Sequence, residues 1–436
     1  MRISTAQFFE STSATYQNNF SSVIKTQQQI DSGVRIQTAA DDPVGAARLL
    51  QLQQQKDMLA QYTGNMNSIK AALGSQETVL DSINTALQKA SELTLQAGGG
   101  VLSDADRRTI ANELGSIEEQ VFSLLNSKDF SGNYMFSGSK TDTPPYARNN
   151  DGTYSYQGDD TQLNLKVSDT LTLASTDTAK SIMEGAINTG RTQTLFTPVL
   201  GSDGSPSTNN GEVMVSAGLL TSTADYSKEF SANQPYSLKF LSSTEYELTG
   251  AGDNPVTVRG NFDASTEAGK RINVGGVSFD INLNLKDIPV AEQDAAVAKY
   301  AFTLEVKPDT ASGSNQTQSA LDTISQLRKA LVIPSDKDPV AYQTQRDAIN
   351  TAIGNLKNAS TGIDSARGSI GARLQAVDIQ TDENVSMGLA SDSTIAAIGN
   401  TDLAGASIEL ALQKSMLEAS QLAFVKISQL SLFNQL

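Results

Sequence analysis

Residues 403–436 read LAGASIELALQKSMLEASQLAFVKISQLSLFNQL, and residues 3–36 read ISTAQFFESTSATYQNNFSSVIKTQQQIDSGVRI. The two ends of the chain are alike, because both are patterned as helices, poor in charge and rich in Gln and Ser. Between them lies a segment rich in Gly, Thr and Asp that is patterned as strands. Neither end can bury an apolar stripe against itself, so each needs a partner, and the other end is the nearest candidate.

The apolar residues of the two ends fall at helical spacing. In the N-terminal stretch, gaps of seven, four and three place six of them on one helical face. In the C-terminal stretch one apolar set forms a first face, and a second set lies roughly 120–140° away at about 100° per residue. The N-terminal face comprises Phe9, Tyr16, Phe20, Val23, Ile30 and Val34. The first C-terminal face comprises Leu412, Met416, Ala419, Ala423, Ile427 and Leu430, and the second comprises Leu410, Leu417 and Phe424.

A helix with two apolar faces must be covered on both. It is either the central helix of a bundle within its own chain or a helix that packs against other subunits. The scarcity of charge at both ends favours intermolecular packing, because the terminal helix of a monomer usually keeps one solvated side. We therefore predict an assembly interface formed by Phe9, Tyr16, Phe20, Val23, Ile30, Leu410, Leu412, Met416, Leu417, Ala423, Phe424, Ile427, Leu430 and Phe433.

Helix start and stop signals divide the rest of the chain. Asp42 before Pro43 predicts a helix start, and the helix that follows ends at the glycines 98–100. Residues 103–106 resemble a capping box that opens a helix ending near Asn126. Strand patterns run from Thr141 to about residue 310, and helical periodicity then continues from Ser319 to the C-terminus. The expected strands are 163–167, 213–215, 236–240, 256–258, 277–283 and 302–306, with a hairpin turn at 149–152 and a short helix at 291–299.

The predicted fold class is α+β. It consists of a long helical hairpin or coiled-coil bundle built from both chain ends, with a mainly antiparallel β domain inserted at its tip. The segments are an N-terminal assembly helix, 1–40; a helical rod in two parts, 41–140 and 311–400; a β-rich outer domain, 141–310; and a C-terminal assembly helix, 401–436.

Composition argues against several classes of function. A net charge of −16 disfavours nucleic acid and anionic membrane surfaces as partners. The chain has no His and no Cys, so it has no imidazole base, thiolate or zinc–thiolate site. The paired acids Asp41/Asp42, Asp104/Asp106 and Asp159/Asp160 are best explained as helix starts and a turn. We therefore predict no enzyme activity, cofactor or metal site. The first residues also lack the apolar core of a cleaved signal peptide.

Three motifs resemble the bacterial flagellin family. The first is QIDSGVRI at 29–36 followed by ADDPVG at 40–45, and the second is DSARGSIGAR at 364–373. The third, SGNYMFSGSKTDTPP at 131–145, is similar to the hook–filament junction branch of that family rather than to flagellin itself. The ending at 426–433 is also similar to the junction branch. Leu403 and Gly405 depart from that branch in the segment 402–406.

The resemblance implies a structural protein of the extracellular flagellum. It implies a ring of subunits between the first hook-associated junction protein and the flagellin filament, exported without a cleaved signal by the flagellar type III apparatus. The terminal helices are then expected to form the inner tube, and a cytoplasmic export chaperone is expected to bind the C-terminal helix. The alternatives left open are a flagellin-like filament subunit and an enzyme or adhesin carried on the β domain.

Overall fold

The computed structural model describes residues 5–100, 102–201, 204–230, 234–251, 256–309 and 315–433. The side chains of residues 5, 6, 8, 9 and 427–433 lie outside this description. By contact density the chain divides into two compact units. Unit 1 comprises Met1–Asn67, Lys166–Leu171 and Val377–Leu436, and unit 2 comprises Ser68–Leu165 and Thr172–Ala376.

Helices occupy the first part of the chain. They are α1 (Thr5–Ser32), α2 (Pro43–Ala97) and α3 (Asp104–Leu125). At the start of α2, the carboxylate of Asp42 accepts the amide of Gly45 at 2.9 Å, which is the expected N-cap. At the start of α3, the Asp106 carboxylate accepts the Ser103 amide at 3.0 Å, and the Ser103 hydroxyl accepts the Asp106 amide at 3.3 Å. Both predicted helix starts are confirmed.

The middle of the chain forms short antiparallel strands and small helices. The strands are β1 (Tyr146–Arg148), β2 (Tyr154–Tyr156), β3 (Asn164–Lys166), β4 (Thr172–Ala174), β5 (Thr192–Pro198), β6 (Val213–Val215), β7 (Leu219–Leu220), β8 (Tyr236–Phe240), β9 (Glu245–Gly250), β10 (Thr257–Asn261), β11 (Arg271–Val274), β12 (Val277–Leu283) and β13 (Tyr300–Val306). A π-helical turn at Lys180–Glu184 and the helices α4 (Thr223–Glu229) and α5 (Val290–Val297) lie among them.

Two larger sheets share one core within unit 2. One sheet has the order β10-β9-β8-β13-β5, and in the other β12 lies between β11 and β6 and also pairs with β7. Phe279 on β12 and Phe302 on β13 are both buried, so the inner faces of the two sheets meet in one apolar cluster. β1 pairs with β2 across the predicted hairpin turn at 149–152, and β3 pairs with β4.

The remainder of the chain is helical again. Its helices are α6 (Ala320–Val332), α7 (Pro339–Gly399) and α8 (Leu403–Phe433). α6 packs against α3 in unit 2, where Leu114 and Leu327 are buried. Residues 400–402 separate α7 from α8, and there Asp402 caps α8 by accepting the amide of Ala404 at 3.1 Å. The predicted α+β class, with long helices from both chain ends and antiparallel β structure between them, is confirmed. The five-segment division stays a prediction.

Candidate assembly interface

The link between α1 and α2 is hydrogen-bonded to the link between α7 and α8. The amide of Arg35 donates to the carbonyl of Gly399 at 2.6 Å, and the amide of Thr401 donates to the carbonyl of Gly33 at 2.9 Å. Gly33 has φ +70°, a conformation that glycine adopts without a steric penalty. This short antiparallel bridge joins the two ends of the chain and fixes how α1 and α8 leave it.

Arg35 strengthens the same bridge with its side chain. Its Nε and Nη2 donate to the carbonyl of Ile398 at 3.1 and 2.8 Å, at the end of α7. Nη2 also reaches the Asp42 carboxylate at 3.3 Å. A planar guanidinium makes this fork, whereas a lysine ammonium on the same stem does not. The motif at 29–36 therefore holds three helix ends together.

The two acids at 41 and 42 serve the same corner. The Asp41 carboxylate pairs with Lys25 at 2.6 Å and accepts the Thr38 amide at 2.9 Å, and these hydrogen bonds lower its pKa to about 2. The Gly45 amide, followed by Arg35, lowers the pKa of Asp42. A Cβ atom at position 45 would lie 2.5 Å from the Asp42 carboxylate and 2.6 Å from the Ile36 side chain, so a larger residue there would displace both side chains. The acids are structural, as predicted.

One face of α8 packs on α1. The ring of Tyr16 stacks on Phe424 at 6.1 Å between centroids and on Phe20 at 6.3 Å. Asn19 donates to the Ser420 hydroxyl at 3.4 Å, and Gln421 donates to the Tyr16 hydroxyl at 3.4 Å. Val23 and Ile30 on α1 are also partly buried, as are Leu410 and Leu417 on α8. The structure thus pairs the N-terminal stripe with the second of the two predicted C-terminal faces.

The other face of α8 is apolar and exposed. Leu412 is 55% exposed and Met416 is 52% exposed, and the small residues Ala419 and Ala423 of the same face are also exposed. Leu422 at 66% and Val425 at 50% extend the apolar surface around the helix. On α1, Phe20 at 48% and Ile24 at 41% are exposed beside the packed face. Among the predicted interface residues whose side chains are described, packing within the chain therefore leaves Phe20, Leu412, Met416 and Ala423 exposed.

Some predicted interface residues cannot be placed in this way. The side chains of Phe9, Ile427, Leu430 and Phe433 lie outside the described part of the structure. Val34, which was placed on the N-terminal face, lies beyond α1 in the bridge opposite Asn400. Ile24, Leu422 and Val425 are exposed apolar residues of the same two helices that the sequence analysis did not single out. Arg35 was missed as a contact residue, because nothing local in the sequence reveals a partner 363 positions away.

The other two motifs position elements inside unit 2. The Gln76 amide group donates to the Met135 carbonyl at 2.6 Å and accepts the Asp177 amide at 3.0 Å, both in the buried interior. Arg373 pairs with the Asp177 carboxylate and donates to the Ala174 carbonyl at 3.1 Å. Ser137 donates to the Thr143 carbonyl at 2.7 Å. The segments 131–145 and 364–373 are therefore structural contacts around α2.

In the described part of the chain, no cluster of three or more acidic side chains has a geometry that would hold a metal ion. None of the helices, as far as the structure describes them, is long and apolar enough to span a bilayer.

The sequence of the chain is similar to those of known flagellar proteins. Residues 3–141 match the family model described as the bacterial flagellin N-terminal helical region. The flagellar hook-associated protein 3 of Salmonella typhimurium is 32% identical over 173 residues, which cover 40% of this chain and 54% of that protein. The chain thus spans about half the length of this curated relative.

Solved structures show the same fold over most of the chain. A crystal structure of FlgL from Xanthomonas campestris matches with a TM-score of 0.61 and 21% identity, covering 79% of this chain and 99% of that one. The flagellar junction protein FlgL from Legionella pneumophila matches with a TM-score of 0.59 and 22% identity, covering 80% and 100%. The arrangement of helices and inserted β structure is that of these proteins.

Proposed function

We propose that this chain, which carries a flagellin-type N-terminal helical region and the fold of the hook-associated protein 3 structures, is a structural subunit of the bacterial flagellar hook–filament junction. Its subunits form a ring between the hook-associated proteins of the hook and the flagellin filament. The role is mechanical and adaptor-like rather than enzymatic. The proposed location of the protein is outside the cell, in the flagellum.

The observation that carries the proposal is the uncovered apolar face of α8. Burying a Leu or Met side chain is worth about 1.5–3 kcal/mol relative to full exposure. Leu412 and Met416 are about half exposed, so roughly half of that gain is still to be realised at each position. Because α1 covers the opposite face, a neighbouring subunit supplies the missing contact. The same pair of helices then serves contacts within and between subunits.

The hydrogen bonds at Gly33 and Gly399 fix the orientation of the exposed apolar face of α8 relative to α1. They join α1 to α8 in one register, so every subunit presents its apolar face in the same way. A closed ring needs such a repeated, directional contact. We propose that the first hook-associated junction protein and flagellin contact the two rims of this ring.

The apolar face of α8 also explains the proposed export partner. An exposed apolar patch promotes aggregation of a free subunit. We propose that a cytoplasmic chaperone covers α8 before the chain passes through the flagellar type III apparatus. Assembly then exchanges the chaperone for neighbouring subunits on the same residues.

A second candidate is a flagellin-like filament subunit. The match of residues 3–141 to the flagellin N-terminal region favours it. The likeness of the chain to hook-associated protein 3, in sequence and in fold, favours the junction. Purified protein distinguishes the two, because a filament subunit grows long filaments alone and a junction subunit does not.

The deciding experiment uses a strain that lacks the gene and is complemented with variants. A junction subunit is expected to be needed for retaining flagellin, so the deletion leaves hooks in place and sheds flagellin into the medium. Leu412→Asn with Met416→Gln should shed several-fold more flagellin than wild type, because both side chains would carry amides into the subunit contact. The flagellin in the culture medium is measured by immunoblot.

The matched control changes a different strip of the same helix. Lys414→Gln with Glu418→Gln alters two exposed positions of α8 and should restore flagellin retention. Circular dichroism of each purified variant checks that its helices are intact. Wild-type retention of flagellin by the Leu412 and Met416 variant would overturn the proposed role of this face.

A further inference from the structure

The strand β10 is an open edge of the five-stranded sheet. It is the outermost strand and pairs with β9 alone. The carbonyl of Val256 accepts the Gly250 amide at 3.2 Å, and backbone groups alternate between the two sides of an antiparallel strand. Even-numbered residues of β10 therefore bond to β9, and Thr257 and Arg259 point their backbone groups away from it. Within the described part of the chain, those amides and carbonyls have no hydrogen-bond partner.

The apolar face of the sheet continues out to this edge. Val258 lies opposite Leu248, which is buried in the apolar cluster of unit 2. Because β10 is the last strand, Val258 is still 51% exposed and Val256 is 71% exposed. On the same face, a Cβ atom at Gly260 would lie 2.5 Å from the Tyr246 hydroxyl, so the tyrosine lies against the glycine. A further strand beside β10 would cover the two valines.

β10 has few of the features that usually prevent two sheet edges from pairing. Lysine, proline and bulges commonly have this effect. Residues 257–261 read TVRGN and pair with β9 residue by residue, without a bulge. The one charged side chain among them is Arg259, and Glu247 on β9 holds its guanidinium at 2.9 Å. The backbone of β10 is therefore accessible to an extended chain.

The opposite edge of the same sheet, β5, is engaged within its own chain. The Thr192 hydroxyl donates to the Ala217 carbonyl at 2.7 Å, and the Thr194 hydroxyl donates to the Ser216 carbonyl at 2.6 Å. The segment that follows β6 thus lies along β5. A strand from another molecule finds less free backbone at β5 than at β10.

The sequence of β10 is complementary to itself in one antiparallel register. Placing Val258 opposite the partner's Val258 sets Thr257 opposite the partner's Arg259 and Val256 opposite the partner's Gly260. The outward backbone groups of residues 257 and 259 then bond to those of the partner, and the valines meet on the apolar face. A register centred on Arg259 would instead set two like charges directly opposite each other, which is destabilising.

We propose that β10 pairs antiparallel with β10 of a second copy, in the register centred on Val258, and joins two five-stranded sheets into one. The contact is isologous, because both copies use the same surface. Main-chain hydrogen bonds supply the affinity of such strand addition, and the side chains beside them select the register. The contact involves unit 2 alone and goes beyond the proposed junction role, which rests on α8.

Cysteine trapping tests the pairing, because the natural chain contains no Cys. At the centre of the proposed register the two Val258 residues form a pair without mutual hydrogen bonds, whose Cα atoms lie about 4.5 Å apart. A disulfide forms at Cα separations of about 4.4–6.8 Å. Full-length Val258→Cys protein, treated with a mild oxidant, should therefore form a disulfide-linked homodimer.

The matched control is Thr257→Cys, the exposed neighbouring position of the same strand. In the proposed register the two copies of residue 257 lie about 8 Å apart, beyond the reach of a disulfide. Val258→Cys should give several-fold more dimer than Thr257→Cys. Equal amounts from the two variants, or no dimer from Val258→Cys, would overturn the pairing and leave the junction role intact.

Sedimentation equilibrium gives a second measurement. The Leu412→Asn, Met416→Gln variant is the background, because its α8 face is polar and contributes less to association. Adding Val258→Lys sets two lysines opposite each other and should raise the dimer dissociation constant several-fold. Adding Val290→Lys instead, at an 83% exposed position of α5, should leave the constant unchanged. Equal effects of the two lysines, or a background variant that is already monomeric, would contradict the pairing.

Discussion

At the scale of single residues, the flagellin-like motif at 29–36 and 40–45 acts through hydrogen bonds from its side chains to backbone groups. Arg35 binds the last turn of α7, and Asp42 and Asp402 cap the two helices that follow the bridge. Gly45 and Gly405 lie three residues after those caps, where a side chain would press against the capping carboxylate. Gly405 departs from the junction branch in the sequence and yet repeats the arrangement of Gly45. The departure therefore fits the geometry of this corner.

Arg35→Lys should loosen the bridge between the chain ends. Lysine keeps the positive charge, but it lacks the planar guanidinium that donates to the Ile398 carbonyl and the Asp42 carboxylate together. A hydrogen bond contributes about 1 kcal/mol, so exchange of the Arg35 and Thr401 amides should become about fivefold faster. Hydrogen–deuterium exchange of the full chain measures this, with Arg48→Lys on the exposed side of α2 as the control. Unchanged exchange would show that the backbone bridge alone is sufficient.

At the scale of elements, periodicity and capping predicted the helices better than the short strands. The starts of α2 and α3 were predicted because Asp42-Pro43 and Ser103–Asp106 are local signals. β9 was missed even though Tyr246 and Leu248 alternate with charged residues. β5 was also missed, although it has seven residues. β4, β7 and β11 have two to four residues each and were missed because such short strands carry too few alternating positions to distinguish them from loops. For such strands, pairing across the sheet decides the structure.

Removing the capping box should weaken α3. Ser103→Ala leaves the Asp106 amide without its acceptor and the Asp106 carboxylate without the Ser103 hydroxyl. Loss of an N-cap costs about 0.5–2 kcal/mol, so the thermal transition should shift downward. Ser116→Ala, on the exposed side of the same helix, should leave stability unchanged or slightly higher, since Ala is the better helix former. Equal behaviour of the two variants in calorimetry would contradict the cap's contribution.

At the scale of the whole molecule, buried polar groups join α7 to the β structure within unit 2. The Asn355 carbonyl oxygen accepts the Thr189 amide at 2.7 Å, and its amide group donates to Asn188 at 3.1 Å. The Asp347 carboxylate accepts the Ala217 amide at 2.9 Å and the Gln343 side chain at 2.8 Å. Burial outweighs these hydrogen bonds and raises the pKa of Asp347 to about 7.

The raised pKa predicts that stability depends on pH. Between about pH 4 and 7 the folded state holds a proton on Asp347 that the unfolded state has lost, so the free energy of unfolding falls as pH rises through this range. Asp347→Asn removes the ionisation and keeps an acceptor for the Ala217 amide. The stability of the variant relative to wild type should therefore increase by roughly 1–3 kcal/mol between pH 5 and pH 8, at about 1.4 kcal/mol per pKa unit.

Urea unfolding at the two pH values measures the difference. Asp382→Asn changes an exposed carboxylate of the same helix and should not reproduce the effect. If Asp347→Asn is less stable than wild type at pH 8, the hydrogen bonds of the carboxylate outweigh the cost of burying its charge.

The sequence by itself determined the class of fold, the places where the long helices begin and the two apolar faces of the C-terminal helix. These follow from periodicity and from caps within a few residues, and such signals are local. Only the tertiary structure decided that α1 covers the face of Leu410, Leu417 and Phe424 and leaves Leu412 and Met416 exposed. It also decided that Arg35 binds the end of α7 and that the Phe130 side chain is exposed. Contacts between residues hundreds of positions apart depend on how the helices pack, and spacing along the chain does not encode them.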